Sequence, residues 1–106
     1  MKKLSIVIPV YNEQATILNI LNKLLEVELM GDLKKELVLV NDNSTDQSEK
    51  LILSFKKRHP KTEILYKKHT KNRGKGAALN TGFQIATGDI ITVQDADLEY
   101  NPHEFN

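Results

Sequence analysis

Short apolar runs alternate along the chain with segments whose apolar residues recur at three- or four-residue spacing. The apolar runs predict four buried strands, at residues 4–10, 36–40, 63–67 and 90–94. The spaced segments predict three amphipathic helices, one over residues 14–29, one ending before Pro60 and one ending before Gly88. Strands and helices that alternate with short connections predict an α/β fold, a Rossmann-like parallel sheet with helices on both faces.

Individual residues refine this prediction. Asn12 is placed to cap the first helix, which should stop at Gly31, and Ser44 with Gln47 is typical of a capping box that opens the second. The third helix should bury one face, made of Ala78, Leu79, Gly82, Phe83 and Ala86, with Gly88 as its C-terminal stop. The lysines around residues 63–67 predict an edge strand, whereas the apolar run at 90–94 predicts a central one.

Composition narrows the classes of function. The 106 residues suffice for one domain, and the net charge of +1 from 15 basic and 14 acidic residues gives no global field that would attract nucleic acid. The absence of cysteine excludes disulfides, thiol catalysis and Cys-ligated zinc, and favours a reducing, cytoplasmic compartment. The first apolar run breaks at Pro9, so it predicts a strand and not a signal peptide. The three histidines, His59, His69 and His103, are interpreted as surface residues.

One stretch is locally basic. Between Lys56 and Lys75 the only acidic residue is Glu63. A run of this kind is typical of a solvated surface. The alternative is attraction to an anionic lipid phosphate or to a membrane surface.

Polar clusters follow three of the predicted strands, at the points where those strands end. They read "YNE" after the first, "NDNS" after the second and "DADLE" after the fourth. Ligands of open parallel sheets bind at the carboxyl ends of the strands, so we expect these clusters to form one pocket.

The last cluster suits a divalent metal. Asp95, Asp97 and Glu99 alternate along the chain, so an extended backbone presents Asp95 and Asp97 on one side. A few solvent-exposed carboxylates suit Mg²⁺ or Mn²⁺ bridging to a substrate's phosphates. The alternative is that acids here only cap a helix after Pro102, which explains one carboxylate and not three.

The other clusters suit a nucleotide. Asp42 can accept a hydrogen bond from a base, or it is only part of a turn. Tyr11 can stack on a flat ring, or it only packs. Gly74 and Gly76 with Lys75 are similar to a turn that approaches phosphate at a helix N-terminus. Together these residues indicate a nucleotide-activated substrate.

Four motifs carry a family resemblance: "VIPVYNE", "ELVLVNDNSTD", "NRGKGAALNTGFQIATGD" and "VQDADLEYNP". Together they resemble the N-terminal half of family-2 glycosyltransferases with the GT-A fold, in the branch that uses polyprenyl phosphates. The resemblance implies a UDP- or GDP-sugar donor, Mg²⁺ or Mn²⁺, inverting transfer, and a polyprenyl phosphate or another acceptor. It also implies peripheral contact with the cytoplasmic face of a membrane.

The resemblance assigns site residues as well. With Lys75 of the glycine turn, the nucleotide-binding set is Pro9, Tyr11, Glu13, Asp42, Lys75, Asp95 and Ala96. The metal set is Asp95, Asp97 and Glu99. Two residues depart from the family pattern, because Asn41 replaces the first acid of a common acidic pair and Asn80 replaces a frequent arginine.

Domains of this family are roughly twice as long as this chain, in the upper range of single domains. Residues 1–106 are therefore expected to be the donor-binding half, truncated after the DxD motif and inactive alone. An open sheet edge predicts self-association. The alternatives are a non-catalytic nucleotide-binding or oligomerisation module, or a receiver-like domain phosphorylated on Asp42.

Overall fold

The computed structural model describes residues 2–26 and 33–96. In chain order the elements are β1 (Lys3–Val10), α1 (Ile17–Glu26), β2 (Lys34–Asn41), α2 (Ser48–Arg58), β3 (Glu63–Lys68), α3 (Lys75–Ile85) and β4 (Ile90–Val93). The strands form a sheet in the order β3-β2-β1-β4, and every neighbouring pair is parallel. This confirms the predicted α/β fold. Because β2 and β3 lie on one side of β1 and β4 lies on the other, the strand order switches direction at β1.

Both faces of the sheet are covered. On one face Ile6 and Ile8 of β1 pack in a core with residues of α1 and α2, including Phe55. On the other face Val7 packs with Val38 and Val40 of β2 and with Ala78 of α3. Since successive residues of a strand point to opposite faces, two buried faces explain why β1 reads as a continuous apolar run.

The third helix approaches the sheet closely at a glycine. A Cβ atom on Gly82 would lie 2.4 Å from Cγ1 of Val7, so a side chain there would push α3 away. Phe83, predicted to be buried, is instead 44% exposed. The prediction was wrong because Phe83 lies about 100° around the helix from Gly82, beyond the stripe that contacts the sheet.

The fourth strand also departs from the prediction. In the described part of the chain, β4 pairs only with β1, so it is an edge strand and not a central one. Its Ile90, Ile91 and Val93 are between 42% and 46% exposed. An apolar sequence indicates that the side chains of a strand favour burial, but it does not show which other element packs against them. The edge position predicted for β3 is confirmed.

Two of the helices begin later than predicted, and the predicted caps are wrong. Helix α1 begins at Ile17, five residues after Asn12, and α2 begins at Ser48. Gln47 precedes α2 and makes no side-chain cap hydrogen bond, while the backbone N–H of Ser48 donates to Asp46 Oδ1 at 2.8 Å. Asn12 and Ser44 are used in contacts between loops, described below. The predicted stop at Gly31 lies outside the described residues.

The end of α3 departs from the prediction too. The helix is followed by Ala86 in an extended conformation. Gly88 does not have the left-handed backbone of a glycine C-cap. Instead, its N–H donates to Ser5 Oγ at 2.8 Å, and a Cβ atom would lie 2.8 Å from the Lys3 carbonyl oxygen. Gly88 therefore serves a close backbone approach.

A buried carboxylate fixes this approach. Glu36 lies on the α3 face at the start of β2, and its side chain is 1% exposed. Its Oε1 accepts hydrogen bonds from Ser5 Oγ at 2.8 Å and from Thr87 N at 3.0 Å. Thr87 Oγ1 donates to Oε2, and Lys3 Nζ lies 3.6 Å from the same oxygen. Burial raises the pKa of Glu36, but the hydrogen bonds from Thr87 and Ser5 outweigh it and lower the pKa from 4.5 to about 2.

This network predicts a specific pH dependence of stability. A carboxylate whose pKa is lower in the folded state than in the unfolded state stabilises the fold fully at pH values above its unfolded pKa. For Glu36 this stabilisation is lost as the pH falls towards 2. At pH 3 the Glu36 contribution should be smaller by about 2 kcal/mol than at pH 6. Glu36→Gln should lower the free energy of unfolding at pH 6 and reduce its fall between pH 6 and pH 3 by that amount.

Urea denaturation at the two pH values measures both quantities, with Glu26→Gln at an exposed carboxylate as the control. If Glu36→Gln and the wild-type protein show the same fall, the Glu36 network is not the source of the pH dependence.

Candidate functional site

A cleft with a volume of about 250 Å³ opens at the carboxyl ends of β1, β2 and β4, beside the N-terminus of α3. It is lined by Pro9, Val10, Tyr11, Glu13, Asp42, Asn72, Gly74, Lys75, Ala78, Asp95 and Ala96. The structure thus brings together all the residues predicted to contact a nucleotide. The cleft lies where the strand order switches, the usual ligand site of open α/β sheets. The individual roles of these residues stay predictions.

One wall of the cleft is held by contacts between the β1–α1 and β2–α2 loops. Asn12 Oδ1 accepts hydrogen bonds from the backbone N–H of Thr45 at 2.8 Å and of Asp46 at 3.3 Å. The Asn12 N–H donates in return to Ser44 Oγ at 3.0 Å. Asn12 has a φ of 52°, in the left-handed region that asparagine tolerates better than most residues. We call this set of contacts the Asn12 clasp.

Neighbouring contacts extend the clasp along both loops. The Glu13 N–H donates to Ser48 Oγ at 2.8 Å, and the Gln14 N–H donates to Asp46 Oδ2 at 3.1 Å. Burial raises the pKa of Asp46, but the hydrogen bonds from Ser48 and Gln14 lower it below its usual range. Tyr11, which is 45% exposed, precedes the clasp at the cleft. The contacts that fix the two loops to each other therefore directly follow Tyr11 and include the backbone of Glu13.

The floor of the cleft contains Asp42, which directly follows β2. Its side chain is 4% exposed. Oδ1 contacts His69 Nδ1 at 2.7 Å and accepts from Arg73 N at 2.8 Å, while Oδ2 accepts from Gly74 N at 2.8 Å. Burial raises the pKa of Asp42, but the hydrogen bonds from His69, Arg73 and Gly74 lower it below its usual range. Because both carboxylate oxygens already accept hydrogen bonds within the protein, Asp42 is poorly suited to be the phosphorylated residue of a receiver-like domain.

His69 is a functional candidate that the sequence interpretation missed. It was predicted to lie at the surface but is 5% exposed. Its Nε2 lies 2.8 Å from Thr81 Oγ1, and its backbone N–H donates to the Asn41 carbonyl oxygen at 2.8 Å. The available signal was its position directly after β3, the same place that the other polar clusters occupy after their strands. His59 contacts the Phe55 ring and is half-buried, so it lies only partly at the surface, and His103 lies outside the described residues.

The Asp42–His69–Thr81 contacts have the residue types of a nucleophilic triad. Neither His69 nor Thr81 lines the cleft, however. We therefore interpret the three residues as a support beneath the cleft floor.

The amide of Asn41 explains one departure from the family pattern. Its Nδ2 donates to the Tyr66 hydroxyl at 3.0 Å, and its Oδ1 accepts from Ser44 N at 2.9 Å. The Tyr66 hydroxyl donates to Glu49 Oε2 at 2.7 Å. Burial raises the pKa of Tyr66, the Asn41 hydrogen bond lowers it and the Glu49 carboxylate raises it, with a net rise to about 12. Since the Tyr66 proton is committed to Glu49, a carboxylate at position 41 would face the hydroxyl oxygen without a donor.

The mouth of the cleft has an ion pair. Lys75 Nζ lies 2.6 Å from Asp95 Oδ1, and the two side chains are 60% and 38% exposed. Thr16 Oγ1 donates to the Ala96 carbonyl oxygen and so ties the segment after β4 to the start of α1. Gly74, with a φ of 93°, supplies the left-handed turn that precedes α3.

Of the three predicted metal ligands, only Asp95 is described, because Asp97 and Glu99 lie outside the described residues. Within residues 2–26 and 33–96 there is no group of three histidine, cysteine or acidic side chains that could hold a metal. Asp95 nevertheless fits a metal site, since its carboxylate borders the cleft and is paired with a positive charge, the Lys75 ammonium. The donor set of carboxylate oxygens suits Mg²⁺ or Mn²⁺.

The basic stretch does not form one surface. The basic residues from Lys56 to Lys61 precede β3, whereas those from Lys67 to Lys75 lie at its last two positions and beyond its end. The two groups thus lie at opposite ends of β3, whose six residues span about 20 Å at about 3.3 Å per residue. The second group lies at the cleft end of the sheet. Across the described part of the chain, no helix has both the length and the apolar composition needed to cross a membrane.

The chain is similar to known proteins of one family. The family model for glycosyl transferase family 2 matches residues 5–106. An undecaprenyl-phosphate 4-deoxy-4-formamido-L-arabinose transferase from Photorhabdus laumondii is 34% identical over 103 residues, which cover 97% of this chain and 31% of that protein. The chain thus spans about a third of the length of this relative.

Solved structures show the same fold. A mannosyltransferase from Pyrobaculum calidifontis, in complex with GDP-Man and Mn²⁺, matches with a TM-score of 0.84 and 33% identity over 91% of this chain and 28% of its own. TarS from S. aureus, in complex with UDP, matches with a TM-score of 0.79 and 27% identity over 90% of this chain and 27% of its own.

The Asn12 clasp predicts a graded series of variants. Asn12→Asp keeps an acceptor and should change the free energy of unfolding by less than about 1 kcal/mol. Asn12→Gly keeps the left-handed backbone but removes the acceptor, and should cost about 1–2 kcal/mol. Asn12→Ala also strains the backbone and should cost about 1 kcal/mol more than Asn12→Gly. Urea denaturation measures the series, and equal stabilities for the three variants would contradict the clasp.

Proposed function

Because the chain belongs to glycosyl transferase family 2, we propose that its cleft binds the nucleoside diphosphate of a UDP- or GDP-sugar donor. The observation that carries the proposal is the convergence of the predicted donor residues on one cleft at the switch in strand order. The complexes of two similar glycosyltransferases, one with GDP-Man and one with UDP, support this choice of ligand.

In this proposal the cleft divides into a base end and a phosphate end. Asp42 accepts a hydrogen bond from the base at the floor, and the exposed ring of Tyr11 stacks against it. Pro9 and Glu13 complete that end. At the other end, the turn at Gly74 opens α3, whose first-turn N–H groups favour phosphate oxygens.

The phosphate end is also the proposed metal site. Asp95, with Asp97 and Glu99, would hold Mg²⁺ or Mn²⁺. Such a cation would neutralise the charge that develops on the departing nucleoside diphosphate. Asp95 would exchange its ion pair with Lys75 for the metal, and Lys75 would then contact the diphosphate. Ala96, held through its carbonyl oxygen by Thr16, keeps this segment against the cleft.

The reaction of the whole protein is proposed to invert the anomeric centre. An acceptor oxygen, deprotonated by a general base, would attack the anomeric carbon as the bond to the nucleoside diphosphate breaks. The carboxylates described at the cleft, Glu13, Asp42 and Asp95, already have donor or metal roles in the proposal. We therefore propose that residues 1–106 form the donor-binding half of a GT-A domain and bind the donor without transferring its sugar.

The proposed acceptor is a polyprenyl phosphate, because the relative from Photorhabdus laumondii is named for undecaprenyl phosphate. The exposed basic residues at the end of β3 and beyond it lie at the cleft end of the sheet and would attract an anionic surface at the cytoplasmic face of a membrane. Lys67→Glu with Lys71→Glu should reduce flotation with anionic vesicles at least about twofold, since each basic residue near such a surface contributes about 1 kcal/mol.

The matched control for this prediction is Lys56→Glu with Lys57→Glu, at the other end of β3. Equal flotation of the two double variants would contradict a membrane contact at the cleft end.

The exposed edge of β4 supports self-association of the chain, and a monomer in sedimentation velocity at the same concentrations would oppose it.

Calorimetric titration of UDP and GDP, with and without Mn²⁺, tests donor binding. Mn²⁺ should tighten the binding of one nucleotide about tenfold or more, and Asp95→Asn should remove that gain because a carboxylate ligand is lost. Asp89→Asn, at the opposite end of β4, is the matched control and should keep the gain.

Three results would count against the proposal. A folded chain that binds neither nucleotide would overturn donor binding. An Asp95→Asn variant that keeps the Mn²⁺ effect would overturn the metal site. Sugar transfer by this chain alone would overturn the assignment of donor binding without turnover.

A further inference from the structure

We propose that His69 is a positioning residue for donor recognition, which fixes the Asp42 carboxylate so that Oδ2, and not Oδ1, accepts the hydrogen bond from the nucleotide base. The inference rests on the proposed function, because it assigns a mechanism to the base end of the same cleft. His69 itself does not line the cleft, so it acts through Asp42.

The two oxygens of Asp42 differ in how fully they are used. Oδ1 contacts two donors, His69 Nδ1 at 2.7 Å and Arg73 N at 2.8 Å. Within the described residues, Oδ2 accepts one hydrogen bond, from Gly74 N at 2.8 Å. Since a carboxylate has about two acceptor positions on each oxygen, Oδ1 is saturated and Oδ2 retains one position for a ligand.

The proton on Nδ1 of His69 follows from its contact with Asp42. The ionised Asp42 can only accept, so Nδ1 carries the proton and donates it to Oδ1. In the neutral imidazole Nε2 then accepts from the Thr81 hydroxyl, which lies 2.8 Å away on α3. Thr81 therefore fixes the ring from the side opposite to Asp42, as second partners of functional histidines commonly do.

The position of His69 joins three parts of the cleft. Its backbone N–H binds the end of β2 through the Asn41 carbonyl oxygen, and its ring links Asp42 to α3. Removing the ring would open a second acceptor position on Asp42 and leave a space beside it that water can enter. The carboxylate would then offer two competing acceptors to the base, and the selective hydrogen bond would weaken.

Three substitutions separate the orienting hydrogen bond from mere packing. His69→Ala removes both ring contacts. His69→Asn places an amide N–H near the position of Nδ1 and keeps a donor for Asp42. His69→Gln places its amide near Nε2, so it reaches towards Thr81 and loses the donor to Asp42.

Each variant is titrated with UDP, GDP and inorganic pyrophosphate in the presence of Mn²⁺, and its melting temperature is recorded. For the nucleotide that binds the wild-type protein, His69→Ala and His69→Gln should weaken binding about tenfold or more, the effect of one charge-assisted hydrogen bond. His69→Asn should stay within about threefold of the wild-type protein, and pyrophosphate affinity should change less than about twofold in every variant.

Several results would overturn the inference. His69→Ala could bind nucleotide like the wild-type protein, His69→Gln could bind as well as His69→Asn, or pyrophosphate affinity could fall in parallel with nucleotide affinity. If His69→Ala does not fold, the comparison of His69→Asn with His69→Gln decides the question.

Proton NMR separates this inference from the proposed function. The wild-type spectrum should show a downfield Nδ1 proton of His69 that disappears in Asp42→Asn, with or without nucleotide. If that proton is absent, the inference fails while donor binding can still be measured. If the proton is present and neither nucleotide binds, the proposed function fails, and the role of His69 in base recognition fails with it.

Discussion

The ionised carboxylate of Asp42, buried at the end of β2, is the constraint on which the rest of the cleft depends. It accepts from the backbone of Arg73 and Gly74 and from the ring of His69, so one side chain holds the whole connection between β3 and α3. A buried charge is tolerated only when its hydrogen bonds are satisfied, and here each bond also fixes a piece of the chain. The left-handed turn at Gly74 and the start of α3 follow from these bonds.

Two further sets of contacts fix the two ends of strands β1 and β2. The Asn12 clasp joins the loops that follow β1 and β2, at the carboxyl ends of these strands. The Glu36 network joins the amino ends of the same strands to the segment before β4. Because β4 has only four residues, its starting point also determines where Asp95 emerges. The geometry of the cleft is therefore controlled from both ends of the sheet.

The charges around the cleft are arranged by their access to solvent. Asp42 lies at the floor and its charge is stabilised by three hydrogen-bond donors, whereas Asp95 lies at the mouth and is paired with an exposed lysine. Such donors hold the Asp42 carboxylate in one orientation, which suits the proposed recognition of a base. An exposed ion pair has a small net stability and can exchange partners easily. The two carboxylates thus suit the two ends of the proposed donor.

The sequence by itself determined the elements of the fold and most of the residues that line the cleft. Apolar runs and helical spacing are local signals, and they identified four strands, three helices and a parallel sheet. Polar residues at strand ends identified Tyr11, Asp42 and Asp95, because carboxyl ends of parallel strands must meet at one edge. The tertiary structure alone decided what those local signals do not contain. The partners of His69 and of Asn12 are residues more than ten positions away, so no spacing rule reveals them. The exposure of Phe83 and of β4 likewise depends on which elements pack against them, and that is fixed only when the helices meet the sheet.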